Sequence, residues 1–531
     1  MVSLCRRVGR VLWLVCLPVS FVVATQAQEP ESSRPTVEQL QSEIDELRAE
    51  IRELKSHAQI APVPVEKAEV AIEPPPAEDK RIGPATSRQP VAEELAVSRD
   101  QAPQPIATVD TQTPFAFADF TWLTGNPRTE TPAFDSKFFT PEIRSDVDYV
   151  YDFRHPQDDT IGGSSEVFRS NEIQITQFGV GGDFHFDNVR ARLMTQFGMY
   201  SQTTPRNDAS PARGQWDLWD AYRYVSEAYG GYHFDVQHGI NVDAGIFMSY
   251  IGLFSYYQFD NWAYQPSYVS SNTPWFFNGV RIQWFPTNKL KIEPWFINGW
   301  QSYGRFNNRP GIGGEILWRP NGNWSVVGNQ YAFGEDDLGV PNRTRYHTDD
   351  SVQYKYMDRE GSRFFSKGAA TLTGDLGCET GGGVSCAGDG KNGPKQSFIG
   401  FMAYNRFWFD RNLYALTLGG GRINNPGRYL VLLPPINGAT AASGTPYFTE
   451  NPGDPFKAYD ASVTADWMPS QYITWRLEYN YRAASVPYFS GPGGVTPPGG
   501  NTGSPGSFVP GWAPDLRRSE QRTTAAILVK F

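Results

Sequence analysis

The feature that most constrains this chain is a two-residue alternation of apolar and polar side chains that recurs along most of its length. Near the C-terminus Tyr459, Ala461, Val463, Ala465 and Trp467 alternate with Asp460, Ser462, Thr464 and Asp466. After the tight turn Pro469, Ser470, Gln471, the residues Ile473, Trp475, Leu477, Tyr479 and Tyr481 alternate with Thr474, Arg476, Glu478, Asn480 and Arg482. A strand points successive side chains to opposite faces, so each run gives one face to an apolar medium and the other to water. The run from Ile143 to Phe153 follows the same rule, with Arg144, Asp146, Asp148 and Asp152 on its polar side. Composition sharpens the constraint: 15 Trp, 26 Tyr and 34 Phe stand among 531 residues, yet only 40% of the chain is hydrophobic. Mean hydropathy is -0.46. A stack of soluble cores would carry aliphatic residues in proportion to its rings, so three or four ordinary globular domains are a poor fit.

The connections sort by length. Short polar turns recur at Asp187-Asn188, Gln237-His238-Gly239, Pro286-Thr287-Asn288, Pro320-Asn321-Gly322, Arg359-Glu360-Gly361, Asp410-Arg411-Asn412 and Pro469-Ser470-Gln471. Between successive short turns lie two strand-like runs joined by a longer loop. The long loops fall near 154–170, 201–215, 253–274, 299–310, 334–344, 376–395, 423–456 and 483–516. A soluble sandwich has no reason to alternate its connections this way, whereas a membrane barrel has tight turns on one side and long loops on the other. The expectation is an all-β fold, a transmembrane antiparallel β-barrel of about 16 strands. It occupies residues 114–531, with strands from about 141. The last run, TTAAILVKF, places Phe531, Val529 and Ile527 on one face. It resembles the C-terminal signature by which outer-membrane barrels are recognised for insertion. The aromatic surplus then belongs in girdles at the two membrane interfaces.

The N-terminal part reads differently. Arg6, Arg7 and Arg10 precede an apolar run from Val11 to Ala24, the order of a secretory signal peptide over residues 1–27, cleaved after Ala27 or, second choice, after Ala24. Residues 35–57 carry a heptad pattern in Val37, Leu40, Ile44, Leu47, Ile51 and Leu54, opened by a Thr36/Gln39 capping box. This short periplasmic coiled coil implies association of copies, with a lone amphipathic helix as the alternative. Residues 58–113 are rich in Pro, Ala and Glu without periodicity and read as a disordered linker. Removing the signal leaves Cys378 and Cys386, within GCETGGGVSCAG, as the mature cysteines. In an exported protein they are expected to form one loop disulfide. The formal net charge of -10 argues against a nucleic-acid partner.

The stretch from Trp216 to about Gly334 resembles the OmpL-like β-barrel porin family, through WDLWDAYRY (Asp220, Ala221, Tyr222), VDAGIF, FDNWAYQPSY, TPWFFNGVRIQWFP (Gly279, Arg281) and INGWQSYGRFNN (Asn298, Gly299, Trp300). The resemblance extends from about Phe115 to Phe531. It implies a porin-like pore without a particular solute, and no functional residue is carried over from it.

Alternation nominates the pore-lining side chains: Arg144, Asp146, Asp148, Arg190, Arg192, Asp243, Arg281, Lys291, Glu293, Asp460, Asp466, Arg476, Glu478, Arg482, Arg518 and Arg522, with Asn241 beside them. Both signs are present, so a transverse field is expected more than a strong ion preference, although such charges can equally pair and stiffen the wall. The loop Leu253 to Pro274, with Tyr256, Tyr257, Phe259, Trp262 and Tyr264, has the length either to fold inward as a constriction or to cap the outside. For enzymatic chemistry the best acid/base candidate is His347 beside Asp349 and Asp350. No nucleophile elbow, metal-spaced histidine pair or phosphate-cradling glycine loop accompanies it, so no enzyme, cofactor or metal is expected. The expected function is a water-filled outer-membrane channel of a Gram-negative-type bacterium for passive diffusion of small hydrophilic solutes. Its expected partners are outer-membrane lipids, the barrel-insertion machinery through the C-terminal strand, and further copies through coil and barrel. The alternative is a structural barrel without transport, tethered to the periplasm or cell wall by its coil.

Overall fold

The alternating runs become strands because each can give its apolar side to a lipid-like medium while its backbone pairs fully with two neighbours. The computed structural model describes residues 112–531 apart from 130–131, 163, 165, 206–207, 209, 211–213, 306–308, 335–341, 360, 426–455, 497–511 and 513. The expected signal peptide, coiled coil and nearly all of the linker lie outside the described residues.

The strands are β1 (Phe139–Asp152), β2 (Ile173–Phe186), β3 (Val189–Thr195), β4 (Val225–Phe234), β5 (Ile240–Met248) and β6 (Phe276–Thr287). They continue as β7 (Leu290–Ile297), β8 (Gly311–Trp318), β9 (Trp324–Phe333), β10 (Thr344–Asp358) and β11 (Lys367–Thr380). The series ends with β12 (Ser397–Phe409), β13 (Tyr414–Asn424), β14 (Lys457–Ser470), β15 (Ile473–Ala484) and β16 (Ser519–Lys530). These sixteen strands form one closed barrel in sequence order, and β1 seals it by pairing with both β2 and β16. The seam runs antiparallel from Arg144 opposite Lys530 to Asp152 opposite Arg522. Phe531 completes it: its N–H donates to the Ile143 carbonyl at 2.9 Å and its ring stacks on Tyr472, 5.4 Å between centroids. Closure removes every strand edge, which is the condition for crossing a bilayer with strands.

One face of each strand is exposed and apolar. Ile173, Phe401 and Leu477 are respectively 77%, 54% and 54% exposed, a burial pattern a soluble fold does not keep. Aromatic pairs mark the turn side of this band, Trp467 on Trp475 and Trp324 on Tyr354. In the turns, Asp187 takes a left-handed φ of 51°, Gly239 a φ of 116°, and Asp410, Arg411 and Asn412 are all left-handed in succession. Asp and Asn tolerate that region because their short side chains can bond locally.

Several boundaries shift from the sequence expectation. β1 starts at Phe139, and β6 runs through Pro286 and Thr287, so its turn is only Asn288 and Lys289. The connection after β10 spans 359–366 rather than three residues. The second long loop spans 196–224 because WDLWDAYRY makes a short helix, Leu218–Tyr222, whose Asp217 side chain accepts from the Asp220 N–H. β11 extends to Thr380, which leaves 381–396 as its loop.

Candidate channel interior

The third long loop, L3 (residues 249–275), lies inside the barrel. Its local fold explains its shape. Asn261 closes a compact turn by accepting from the Ser255 N–H and donating to the Ser255 carbonyl, both at 2.7 Å, around a 3-10 turn at Gln258–Asp260. Ser267 then caps the short helix Tyr268–Ser271. Such a loop exposes backbone groups that a dry interior would leave unpaired, so the wall must supply partners.

It does so with the charges that alternation turned inward. Arg476 on β15 donates to the carbonyls of Asn261 (2.6 Å) and Gln258 (3.2 Å). Arg406 on β12 donates to the Trp262 carbonyl at 3.2 Å. Asp466 on β14 pairs with both arginines, at 2.7 Å each. Glu478 accepts from the backbone N–H groups of Tyr264 (2.7 Å) and Gln265 (2.8 Å), and from the Thr464 hydroxyl. Asp460 accepts from the Ser267 hydroxyl and the Tyr268 N–H. On β1, Arg144 donates to Asp260 at 2.8 Å and lies 4.0 Å from the Tyr257 ring centroid, while Asp146 accepts from the Tyr264 hydroxyl. On β15 and β16, Arg482 covers the Tyr268 ring at 3.8 Å and Arg522 donates to Gln265 at 2.7 Å. Across the lumen, Tyr256 and Tyr257 donate to Gln196 and Glu227.

Arg144, Asp146, Asp148, Asp460, Asp466, Arg476, Glu478, Arg482 and Arg522 face inward but are buried, because L3 lies over their wall. Arg518 is exposed just before β16 begins and is not part of the wall. The opposite wall, β2 to β8, keeps more contact with water. Arg192 bridges Glu142, Asp183 and Glu227 at 2.8–3.0 Å; Arg190 and Arg281 share buried Asp243; Lys291 joins half-buried Glu315 to buried Glu293. The Arg190 side chain is 30% exposed and that of Asp183 49%, which makes them wetter than Arg281 or Lys291. Asn241 donates to Gln283 on this wall.

A second insert was not legible as such. Residues 112–129 cross the barrel end that carries the short turns. The Phe115 N–H donates to the Asn288 carbonyl in the β6–β7 turn, Arg319 stacks on Phe115 and Phe120, and buried Trp122 donates to the Gly322 carbonyl at 3.1 Å. Farther on, Asn126 donates to the Ser470 carbonyl and Thr129 to that of Gln471 in the β14–β15 turn. The insert meets L3 where the Gly125 N–H donates to the Asp260 carbonyl at 2.9 Å, and Arg406 donates to the Gly125 carbonyl as well. Asp119 ties it to Lys367 at 3.0 Å. Burial pushes the Asp119 carboxyl up, but bonds from Thr121 and the Lys367 charge outweigh it and hold it below the ordinary value. The signal available in the sequence was FAFADFTWL, four rings directly after a linker with none of their alternation.

The remaining candidates separate. His347 and Asp349 point inward and Asp350 outward, since they are neighbours on one strand. His347 lies 2.8 Å from buried Asp375 and 4.8 Å from the Trp300 ring. Cys378 and Cys386 are joined by a disulfide where β11 enters its loop. Among the described residues no group of three or more His, Cys, Asp or Glu is placed to hold a metal ion.

Residues 145–507 match the family model described as "Putative beta-barrel porin-2, OmpL-like". The chain belongs to this porin family. Its barrel is porin-like, as the stretches around Arg281 and Trp300 implied. Similar solved structures include an anion-selective porin from Comamonas acidovorans (10% identity, TM-score 0.42, covering 74% of this chain and 99% of that one). Pseudomonas putida OprB is 12% identical with a TM-score of 0.42, covering 76% of this chain and 100% of its own. The outer membrane channel DcaP of Acinetobacter baumannii is 12% identical with a TM-score of 0.40, over 76% and 100%. No curated protein matches the sequence.

Proposed function

We propose that this porin-family barrel is an outer-membrane channel for passive diffusion of small hydrophilic solutes, with L3 and the segment 112–129 setting its aperture. The observation that carries the reading is L3 itself: a polar, aromatic-rich loop held inside a sixteen-stranded barrel by Arg406, Asp460, Arg476 and Glu478. A barrel of this size otherwise leaves a wide aqueous interior, so a loop fixed across it is a size filter. The wall left wet carries both signs in paired form, which favours size over charge as the main selector. No catalytic role is assigned to His347. In this reading the signal peptide exports the chain, the C-terminal strand directs insertion among outer-membrane lipids, and the coil lies in the periplasm and gathers copies.

Purified protein in planar bilayers, measured for conductance and reversal potential and then challenged with sugars, phosphate and amino acids, tests this. Discrete steps with weak ion preference support it, and absence of channels overturns it. A second reading, a barrel that tethers the outer membrane, draws on the insert: residues 112–129 are bonded into the mouth through Phe115, Asn126 and Thr129, so a pull on the linker would reach the wall. Removing residues 28–113 separates a tethering role of the coil from an assembling one. Tethering predicts weakened envelope attachment with intact oligomers, and an assembly role for the coil predicts altered oligomer size.

A further inference from the structure

Among the described residues, the outer face of β10 carries a charge at mid-strand. Along β10 the outward positions are Tyr346, Thr348, Asp350, Val352 and Tyr354, as the exposure of Tyr346, Val352 and Tyr354 shows. Asp350 therefore stands midway between two aromatic residues, on the face given to hydrocarbon. It is not a stray side chain. Thr348 donates to it at 3.0 Å, and Gln330 from β9 donates to Thr348 at 2.6 Å. Its direct neighbours across both strand pairings are glycines, Gly328 and Gly374, so the cluster sits where adjoining side chains cannot cover it.

The same cross-strand row continues outward-facing from Gly374 to Phe401 and then to Arg422, which is exposed. One anion and one cation thus lie on a single outer face, three strand spacings or about 14 Å apart along the row. Because barrel strands tilt by roughly 40°, Arg422 lies about 9 Å nearer the long-loop side. A long guanidinium side chain can lean along the wall to recover much of that difference. Just on the long-loop side of this row is a groove of about 640 Å³, lined by Ile312, Ala332, Tyr346, Leu376, Ile399 and Asn424.

Acyl chains offer a carboxylate nothing, and lipid head groups do not reach midway between the girdles. A second protein surface is needed, and on the reading proposed above the heptads of Val37 to Leu54 gather further copies of this chain beside it. We infer that the β9–β13 face is the contact between copies of this chain, Asp350 of one copy meeting the partner's Arg422, with the groove filled by the partner's wall.

Charge reversal tests it in the full-length protein. Asp350→Arg and Arg422→Asp should each lower the oligomer fraction roughly tenfold or more, read by native mass spectrometry in detergent. The double reversal should restore the wild-type fraction. Heat-modifiable migration on gels, together with unchanged single-channel conductance, verifies that each barrel is folded. A monomeric wild type, single variants that assemble like wild type, or a double variant that is not rescued would each overturn the proposal.

Discussion

At the scale of single residues, the interior charges act by satisfying the backbone of a loop. Glu478 is the clearest case, since one carboxylate receives two consecutive N–H groups of L3. Glu478→Ala leaves both without an acceptor, at about 1–3 kcal/mol for each buried group, and is expected to loosen L3 and raise single-channel conductance. Arg476→Ala should act the same way and more strongly, because it also strips Asp466 of one of its two cations. Asp119 gives a pH dependence with a definite sign. Its carboxyl is held below the ordinary value, so its tie to Lys367 is fully present above that value and is lost as pH falls through the lower, folded one. Conductance is expected to rise as pH falls below the ordinary aspartate range, and Asp119→Asn should show the raised level already at neutral pH. If the variant and wild type have the same pH profile, the insert is not held this way. The sequence told which of these residues face inward, because the strand period assigns faces. It could not tell that Arg406, which was not among the inward charges that alternation nominates, would hold L3 and the N-terminal insert together, since that depends on which loop returns over which strand.

At the scale of elements, turns were more legible than loops. Asp187-Asn188 and Asp410-Arg411-Asn412 announce themselves by residue type, and the structure uses their left-handed tolerance. Pro286 misleads for a physical reason: proline lacks only a donor, and β6 runs through it across a register irregularity between Trp284 and Thr287. Loop destinations are set by partners distant in sequence, Glu478 lying more than 200 residues from Tyr264, so length and aromatic content left the direction of L3 open. The insert across the turn side is testable as a unit. Deleting residues 112–126 from the mature chain, so that the linker joins directly to Pro127, should enlarge the conductance step without lowering barrel content in circular dichroism. An unchanged step would show that the insert does not lie across the conducting path.

At the scale of the whole molecule, the fold was readable because a closed barrel imposes one rule on every strand. Strand count, the sorting of long and short connections, and the outward Ile527 and Val529 of the last strand all derive from it. Closure depends on the seam between β1 and β16, where Phe531 bonds Ile143 and stacks on Tyr472. Deleting Phe531 is expected to lower the yield of inserted, heat-modifiable barrel while leaving the conductance of whatever inserts unchanged; full insertion of the truncated chain would remove that role. The low mean hydropathy of the chain is the average of an apolar outer face, a charged and loop-filled interior, and long outer connections. The central claim is that L3 sets the aperture. Single-channel recording of the full-length protein against a variant lacking residues 256–268 tests it most directly. Discrete steps in the wild type that become larger in the deletion are the predicted result, and equal steps, or none from either protein, would contradict it.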